Sequence, residues 1–353
     1  MATYVNNMGF FDQLKTGVGI DLGTANSLLY VRGEGIVLRE PTVIALNNKT
    51  GKAIAIGEEA QRMMGRTPSH IDVIRPLVNG VISDFAMTQE ILKYFLGRVK
   101  KNVFYRYIQA VVAIPTNLTE VERKSVEDAV VSAGASGVHL LEEPIAAALG
   151  AGLPIDEPNA TMVVDLGGGT TEVAIISMGG VVVSESLKIA GDKLNDDIIQ
   201  FVRDDYKMMI GFPTAQRIKM EIGSALASDK KLEMRVSGRD LSSGLPKEIT
   251  IKDSQVRIAL ASSLKQIVDV IKRVIEKTPP ELSGDILKNG IYLSGGGSLL
   301  SHLDKLIEKE VQVKTVRVED PLTCVARGTG LAIENIGQYK NLFALSVQPV
   351  HIE

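Results

Sequence analysis

The chain is poor in the residues that would tie it to several common chemistries. Cys324 is the only cysteine in 353 residues. This excludes an internal disulfide and suits a reducing compartment, and such an isolated cysteine is expected to be a small buried hydrophobe. The four histidines are scattered, without metal-ligand spacing to one another or to the cysteine. No apolar run is long enough to cross a bilayer. The N-terminus lacks the basic-then-apolar order of a secretory signal, so a cytoplasmic protein is expected. The net charge is −3 and no basic stripe stands out, which argues against nucleic acid as a partner. No G-x-x-x-x-G-K-[ST] occurs anywhere, so a P-loop NTPase is excluded.

What is present is an ordinary globular composition, 45% apolar and 23% charged, in a chain long enough for two to four packed units. Strand-like runs alternate with amphipathic helices, which defines an α/β class. Ile91, Leu92, Phe95, Leu96 and Val99 form one helical stripe, and Val256, Leu260, Leu264, Ile267, Val268, Ile271, Val274 and Ile275 form a longer one that ends before the paired prolines of "KTPPEL". "AVVAIP" reads as a buried strand, and "VSGRDLSSGLPKEITI" as a hairpin in a small peripheral unit.

The chain also repeats itself. "GVGIDLGTANSLLYV" and "MVVDLGGGTTEVAIIS" each place an aspartate and a glycine-rich turn between two apolar strands. A duplicated domain accounts for this, with the two hairpins facing each other across a cleft. Glycine turns let backbone N–H groups approach a phosphate, and the Thr24 and Thr170 hydroxyls add donors. A carboxylate there would repel phosphate unless a metal intervened, so Asp21 and Asp165 suggest magnesium held through waters. The pair of loops fits a nucleoside triphosphate clamped between two halves. In "DLGGGTTEVA" the glycines open a strand rather than a helix, which separates this pattern from the dinucleotide fingerprint.

A third cluster, Gly295, Gly296 and Gly297 in "IYLSGGGSLLSHLDKLIEKEV", follows a strand and could floor a purine base. The helix after it is expected to carry Leu299, Leu303 and Leu306 on one face. Two glutamates compete to position a water. Glu122 is explained by a capping box with Thr119. Glu143, before Pro144, suits a first helical turn and is favoured as the catalytic group. Ala146, Ala147, Ala148 and Gly150 let its helix pack tightly, as a hinge would need.

"GIDLGTANSLLYV", "VVDLGGGTTEVAIIS" and "IYLSGGGSLL" resemble the phosphate-one, phosphate-two and adenosine motifs of the actin and heat-shock chaperone ATPase superfamily. "IDLGTAN", "EKTPPEL" and "SGGGSLL" narrow the resemblance to the MreB family of bacterial actins, over Gly17 to Asn335. It implies two ribonuclease-H-like lobes around an ATP/ADP cleft with Mg2+. The first core would take residues 1–32, 76–150 and 321–353, with an accessory subdomain at 33–75. The second core would take 151–187 and 247–320, with an accessory subdomain at 188–246. The resemblance gives Glu143 and Thr170 the attacking water, and Asp21 and Asp165 the metal. It places Gly23, Thr24, Ala25, Asn26, Gly167, Gly168 and Gly169 at the phosphates, Gln216 and Lys219 near ribose or base, and Gly295–Gly297 at adenosine. Gln216 stands where the family often has glutamate, but can still hydrogen-bond a hydroxyl.

The resemblance further implies an ATPase that polymerises into paired filaments on the inner membrane face and determines cell shape, with wall-synthesis or other cytoskeletal proteins as partners. Phe10, Phe11 and Leu14 in "NMGFFDQLK", and Phe104 and Tyr105 in "KKNVFYRY", are the weak membrane anchors. A sugar kinase of the same fold would need an aspartate base beside a sugar pocket, and no such motif stands out. A chaperone would need a peptide-binding domain, whereas this chain ends soon after "ENIGQYK". A non-hydrolysing scaffold is disfavoured by the presence of both Glu143 and Thr170.

Overall fold

The β-branched runs on either side of each glycine turn are buried on both faces, so each needs covering layers above and below. A computed structural model of the chain describes residues 15–99, 107–229 and 231–344. It answers that need with two large mixed sheets. The first runs in the order Phe343–Ala344, Gly137–Glu142, Tyr107–Ile114, Lys15–Leu22, Asn26–Val31, Gly35–Pro41. The second runs Gly180–Leu187, Thr171–Ser177, Thr161–Leu166, Ile291–Ser294, Thr315–Arg317.

The repeat read from the sequence is a repeat of topology. In each sheet three successive strands form an antiparallel meander, and two later strands add in parallel beside the first of them. The parallel additions need crossover helices, and Phe85–Val99 and Asp253–Glu276 lie in those connections. Their apolar stripes are the ones expected. Ile91, Leu92, Phe95 and Leu96 are buried in one core, and Val256, Leu260, Leu264, Ile267, Val268, Ile271 and Val274 in the other.

Between the two sheets lie the helices Glu143–Gly150 and Cys324–Glu334. They share one core with Val111 of the first sheet and Val163 and Ile176 of the second. Their backbones touch: a Cβ on Gly328 would stand 1.8 Å from the Ala146 carbonyl oxygen, and one on Gly150 would stand 1.8 Å from that of Cys324. The small-residue run in "PIAAALG" thus makes the tight joint between halves, against a partner helix distant in sequence. Cys324 is buried within it.

Smaller sheets sit on the periphery. Ile44–Asn47 pairs with Lys52–Ile56 and Ile71–Ile74, and Glu233–Asp240 with Met208–Met209 and Pro246–Lys252. The latter hairpin is the one read from "VSGRDLSSGLPKEITI". One expectation is corrected. Gly296–Leu299 is a short 3₁₀ turn, and the helix begins only at Leu303. Leu299 is exposed, and Leu303 and Ile307 form the buried face, because His302 in the left-handed region breaks the run. Among the described residues no helix is long and apolar enough to cross a membrane. Phe10, Phe11, Leu14, Phe104 and Tyr105 lie outside the described residues.

Candidate functional site

The two glycine elbows meet. A Cβ on Gly168 would stand 2.6 Å from the Ala25 Cβ, and one on Gly169 would stand 2.6 Å from Thr24 Oγ1. Only glycine allows this approach. Each elbow is braced from behind. In the first, Thr42 Oγ1 donates to the Gly23 carbonyl at 2.7 Å. In the second, the Gly167 N–H closes a tight turn onto the Thr170 carbonyl at 2.9 Å. The amides of Gly191 and Asp192 donate to the carbonyls of Gly167 and Gly168 at 3.1 and 2.8 Å. The amides of Thr24, Ala25, Gly168 and Gly169 are left without an acceptor among the described residues. Unclaimed N–H groups on facing turns are the kind of donors that can hold an anion.

A cleft of about 520 Å³ opens over these turns, within the range that holds small ligands and cofactors. It brings together every site residue expected within the described part of the chain. Asp21, Gly23, Thr24, Ala25 and Asn26 come from the first elbow, and Asp165, Gly167, Gly168, Gly169 and Thr170 from the second. Glu143 comes from the interlobe helix, Gln216 and Lys219 from one face of the helix Phe212–Ile222, and Gly295, Gly296 and Gly297 from the third cluster. Glu122 is not among the lining residues. It closes the capping box with Thr119, whose amide and hydroxyl hold its carboxyl below the usual range.

The electrostatics of the cleft are unbalanced. Loss of hydration, and then the Asp165 carboxylate, push Asp21 up to about 7. Asp165 is pushed to about 6 by burial, although the Ser294 hydroxyl donates to its Oδ1 at 2.5 Å and opposes the rise. Glu143 is raised well above the usual range by burial and then by Glu172, Asp165 and Asp21. No ion pair involves any of these four carboxylates among the described residues. Burial lowers Lys219 to about 8, and its Nζ donates to the Gly191 carbonyl at 2.6 Å. No group of three or more His, Cys, Asp or Glu among the described residues could hold a metal by itself. Two carboxylates on facing turns, each raised mainly by burial, instead fit a hard cation that keeps waters and shares a ligand's phosphates.

The two-lobed fold is the one that the sequence resemblance implies, and the comparisons agree. A family model described as MreB/Mbl protein matches residues 15–341. The chain belongs to the MreB/Mbl family. It is 46% identical over 319 residues to the cell shape-determining protein Mbl of Bacillus subtilis, covering 90% of this chain and 96% of the relative. It is 46% identical over 335 residues to the cell shape-determining protein MreB of Escherichia coli, covering 94% and 96%. The crystal structure of MreB5 of Spiroplasma citri bound to ADP superposes with a TM-score of 0.88 at 40% identity, over 93% of this chain and 98% of that one. The fold is therefore the actin-like fold of the MreB/Mbl proteins.

Two features of this MreB/Mbl cleft, and one buried residue outside its lining, were missed from sequence. The hairpin Leu77–Val78/Val81–Ile82 turns at Asn79-Gly80, both with positive φ, and its Gly80 amide donates to Thr24 Oγ1 at 3.0 Å. The Asn-Gly pair in "PLVNGVIS" is a strong hairpin signal and would have found it. Arg75 reaches across the cleft to Asp192 (Nη1 to Oδ2, 3.0 Å) and lies 4.2 Å over the Phe212 ring. No local pattern announces that pairing. Glu172, directly opposite Asp165 on the neighbouring strand, is fully buried, and a glutamate inside the apolar strand of "TTEVAIIS" was the available signal.

Proposed function

We propose that the cleft binds ATP with Mg2+, hydrolyses it, and couples the two states to assembly of the chain into filaments that serve cell shape. The observation that carries this is the contact between the elbows, with four unclaimed amides on residues that line one cleft. The amides, with the Thr24 and Thr170 hydroxyls, would hold phosphate oxygens. Lys219 and Gln216 would meet the sugar and base end, above Gly295–Gly297. Support for a nucleotide comes from Spiroplasma citri MreB5, which was crystallised with ADP and with AMPPNP.

Asp21 and Asp165 would hold the cation through waters, and when bound it would screen phosphate charge and lower both carboxylates. Glu143, at the head of its helix, would orient the attacking water with Thr170, and hydrolysis would rest on positioning and charge stabilisation. Each lobe would comprise a core and an accessory unit. The accessory units would be built on the small sheets of Ile44–Ile74 and Met208–Lys252, with Gly35–Pro41 counted to the first core because it pairs with that sheet. Head-to-tail addition of the closed form, which need not close into a ring, would give a filament. Attachment to the inner membrane face would draw on many copies at once. Glu143→Ala should leave ATP binding intact in calorimetry and abolish phosphate release. Hydrolysis at the normal rate would remove Glu143 from the mechanism.

A further inference from the structure

The mechanism above leaves Glu172 unused, yet its surroundings are specific. Its Oε2 accepts from the Thr116 hydroxyl at 2.8 Å and from the Thr116 amide at 3.4 Å. Its Oε1 accepts from the Ser186 hydroxyl at 2.6 Å. Ser186 is its partner on the next strand of the second sheet, but Thr116 belongs to the first lobe. The bond to Thr116 is therefore an interlobe tie, made in the interior by a carboxylate with no ion pair among the described residues.

The loop it grips is close to the proposed chemistry. Thr116 follows the strand Tyr107–Ile114, whose last residue is paired with Glu142, the residue before Glu143. Its neighbour Pro115 packs against Gly80, where a Cβ would meet Pro115 Cγ at 2.7 Å and Thr170 Cγ2 at 3.4 Å. Gly80 in turn donates to Thr24. Pro115–Thr116 thus lies between Glu143, the Asn79-Gly80 hairpin and Thr170. On the other side, Glu172 stands opposite Asp165 and two residues beyond Thr170. A buried carboxylate without a cation is a poor device for stability, since an apolar residue of similar volume usually serves as well or better.

We propose that Glu172 is a positioning residue for hydrolysis: by holding Thr116 it fixes the spacing between Glu143 on one lobe and Thr170 on the other. The inference rests on the reading of Glu143 as the residue that orients water. The role is geometric and is carried by acceptor atoms. A glutamine can keep it, with its carbonyl toward Thr116 and its amide toward Ser186, whose hydroxyl can accept.

The test is single-turnover hydrolysis of prebound Mg-ATP, which is insensitive to the fraction of active protein, beside nucleotide affinity measured separately. Glu172→Ala and Thr116→Val should each slow the chemical step by about tenfold or more, the effect of leaving a buried hydrogen-bonding group without its partner. Affinity should change by less than about threefold. Thr116→Ser and Glu172→Gln should restore the rate to within about threefold of wild type. The double variant Glu172→Ala/Thr116→Val should be no slower than the slower single one, because both remove the same bond. A wild-type rate in Thr116→Val, a Glu172→Gln as slow as Glu172→Ala, losses that multiply in the double variant, or affinity lost in step with rate would each overturn the proposal. Glu143→Ala separates the two levels. If it is inactive while Thr116→Val is normal, only the role of Glu172 falls. If Glu143→Ala hydrolyses normally, the reading beneath it falls as well.

Discussion

Replacing Asp21 by asparagine should stabilise the empty protein while destroying its response to magnesium. Folding brings Asp21 and Asp165 onto facing turns and raises Asp21 from 3.8 to about 7. The sign follows from proton binding. The folded state holds this proton more tightly than the unfolded one, so the carboxyl adds no penalty below about pH 4. The penalty grows as pH rises from there to about 7, and is complete above it. At about 1.4 kcal/mol per unit, the rise sets a ceiling of about 4 kcal/mol at pH 8. Asp21 is only partly buried and faces the open cleft, so solvent screening brings the expectation to about 2 kcal/mol.

Asparagine keeps the shape and removes the charge. Chemical denaturation in EDTA should therefore show Asp21→Asn more stable than wild type by about 2 kcal/mol at pH 8, shrinking to under about 1 kcal/mol at pH 5. With Mg-ATP the order should reverse, because ligand binding to the folded state stabilises only the protein that retains the carboxylate. An Asp21→Asn protein no more stable than wild type at pH 8 in EDTA would refute the claim that burial, with the neighbouring carboxylate, penalises the Asp21 charge. A gain equal at both pH values would trace it to packing instead.

Gly328→Ala should destabilise the protein by about 3 kcal/mol or prevent folding, since the new methyl meets the Ala146 backbone at 1.8 Å and backbone cannot swing aside; thermal melting checks it. Gly168→Ala pushes against Ala25 at 2.6 Å, should part the elbows and should weaken ATP binding by at least about tenfold with little change in stability. Arg75→Ala removes the partly buried tie to Asp192 and the stacking on Phe212, and should weaken nucleotide affinity by about tenfold, read by fluorescence titration.

The features that were legible in the sequence are those whose physics is local. A glycine turn between two β-branched runs, a Thr119–Glu122 capping box, and a stripe from Val256 to Val274 each declare themselves within a few residues. The duplicated hairpins announced the doubled topology because the same local solution was written twice. The rest depends on what the lobes bring together. Arg75 and Asp192 are 117 positions apart, and Thr116 and Glu172 are 56 apart. Neither pair has a spacing that strand or helix periodicity can reveal. Leu299 misled for a different reason. Its spacing to Leu303 and Leu306 is helical, but the glycines before it and the left-handed His302 after it allow only a 3₁₀ turn.

The joint and the charges act together. The helices Glu143–Gly150 and Cys324–Glu334 are in backbone contact between the sheets. Asp21 lies on one lobe and Asp165 on the other, and Glu143 stands at the head of the first of these helices. Closing the cleft without a cation concentrates these carboxylates, whereas closing it around a cation and phosphates gives each of them a partner. A ligand can shift such an equilibrium only by its differential affinity for the two arrangements. The cost of burying these carboxylates would supply part of that difference, so the side chains that would bind the metal would also favour the closed form when the cation and phosphates are bound.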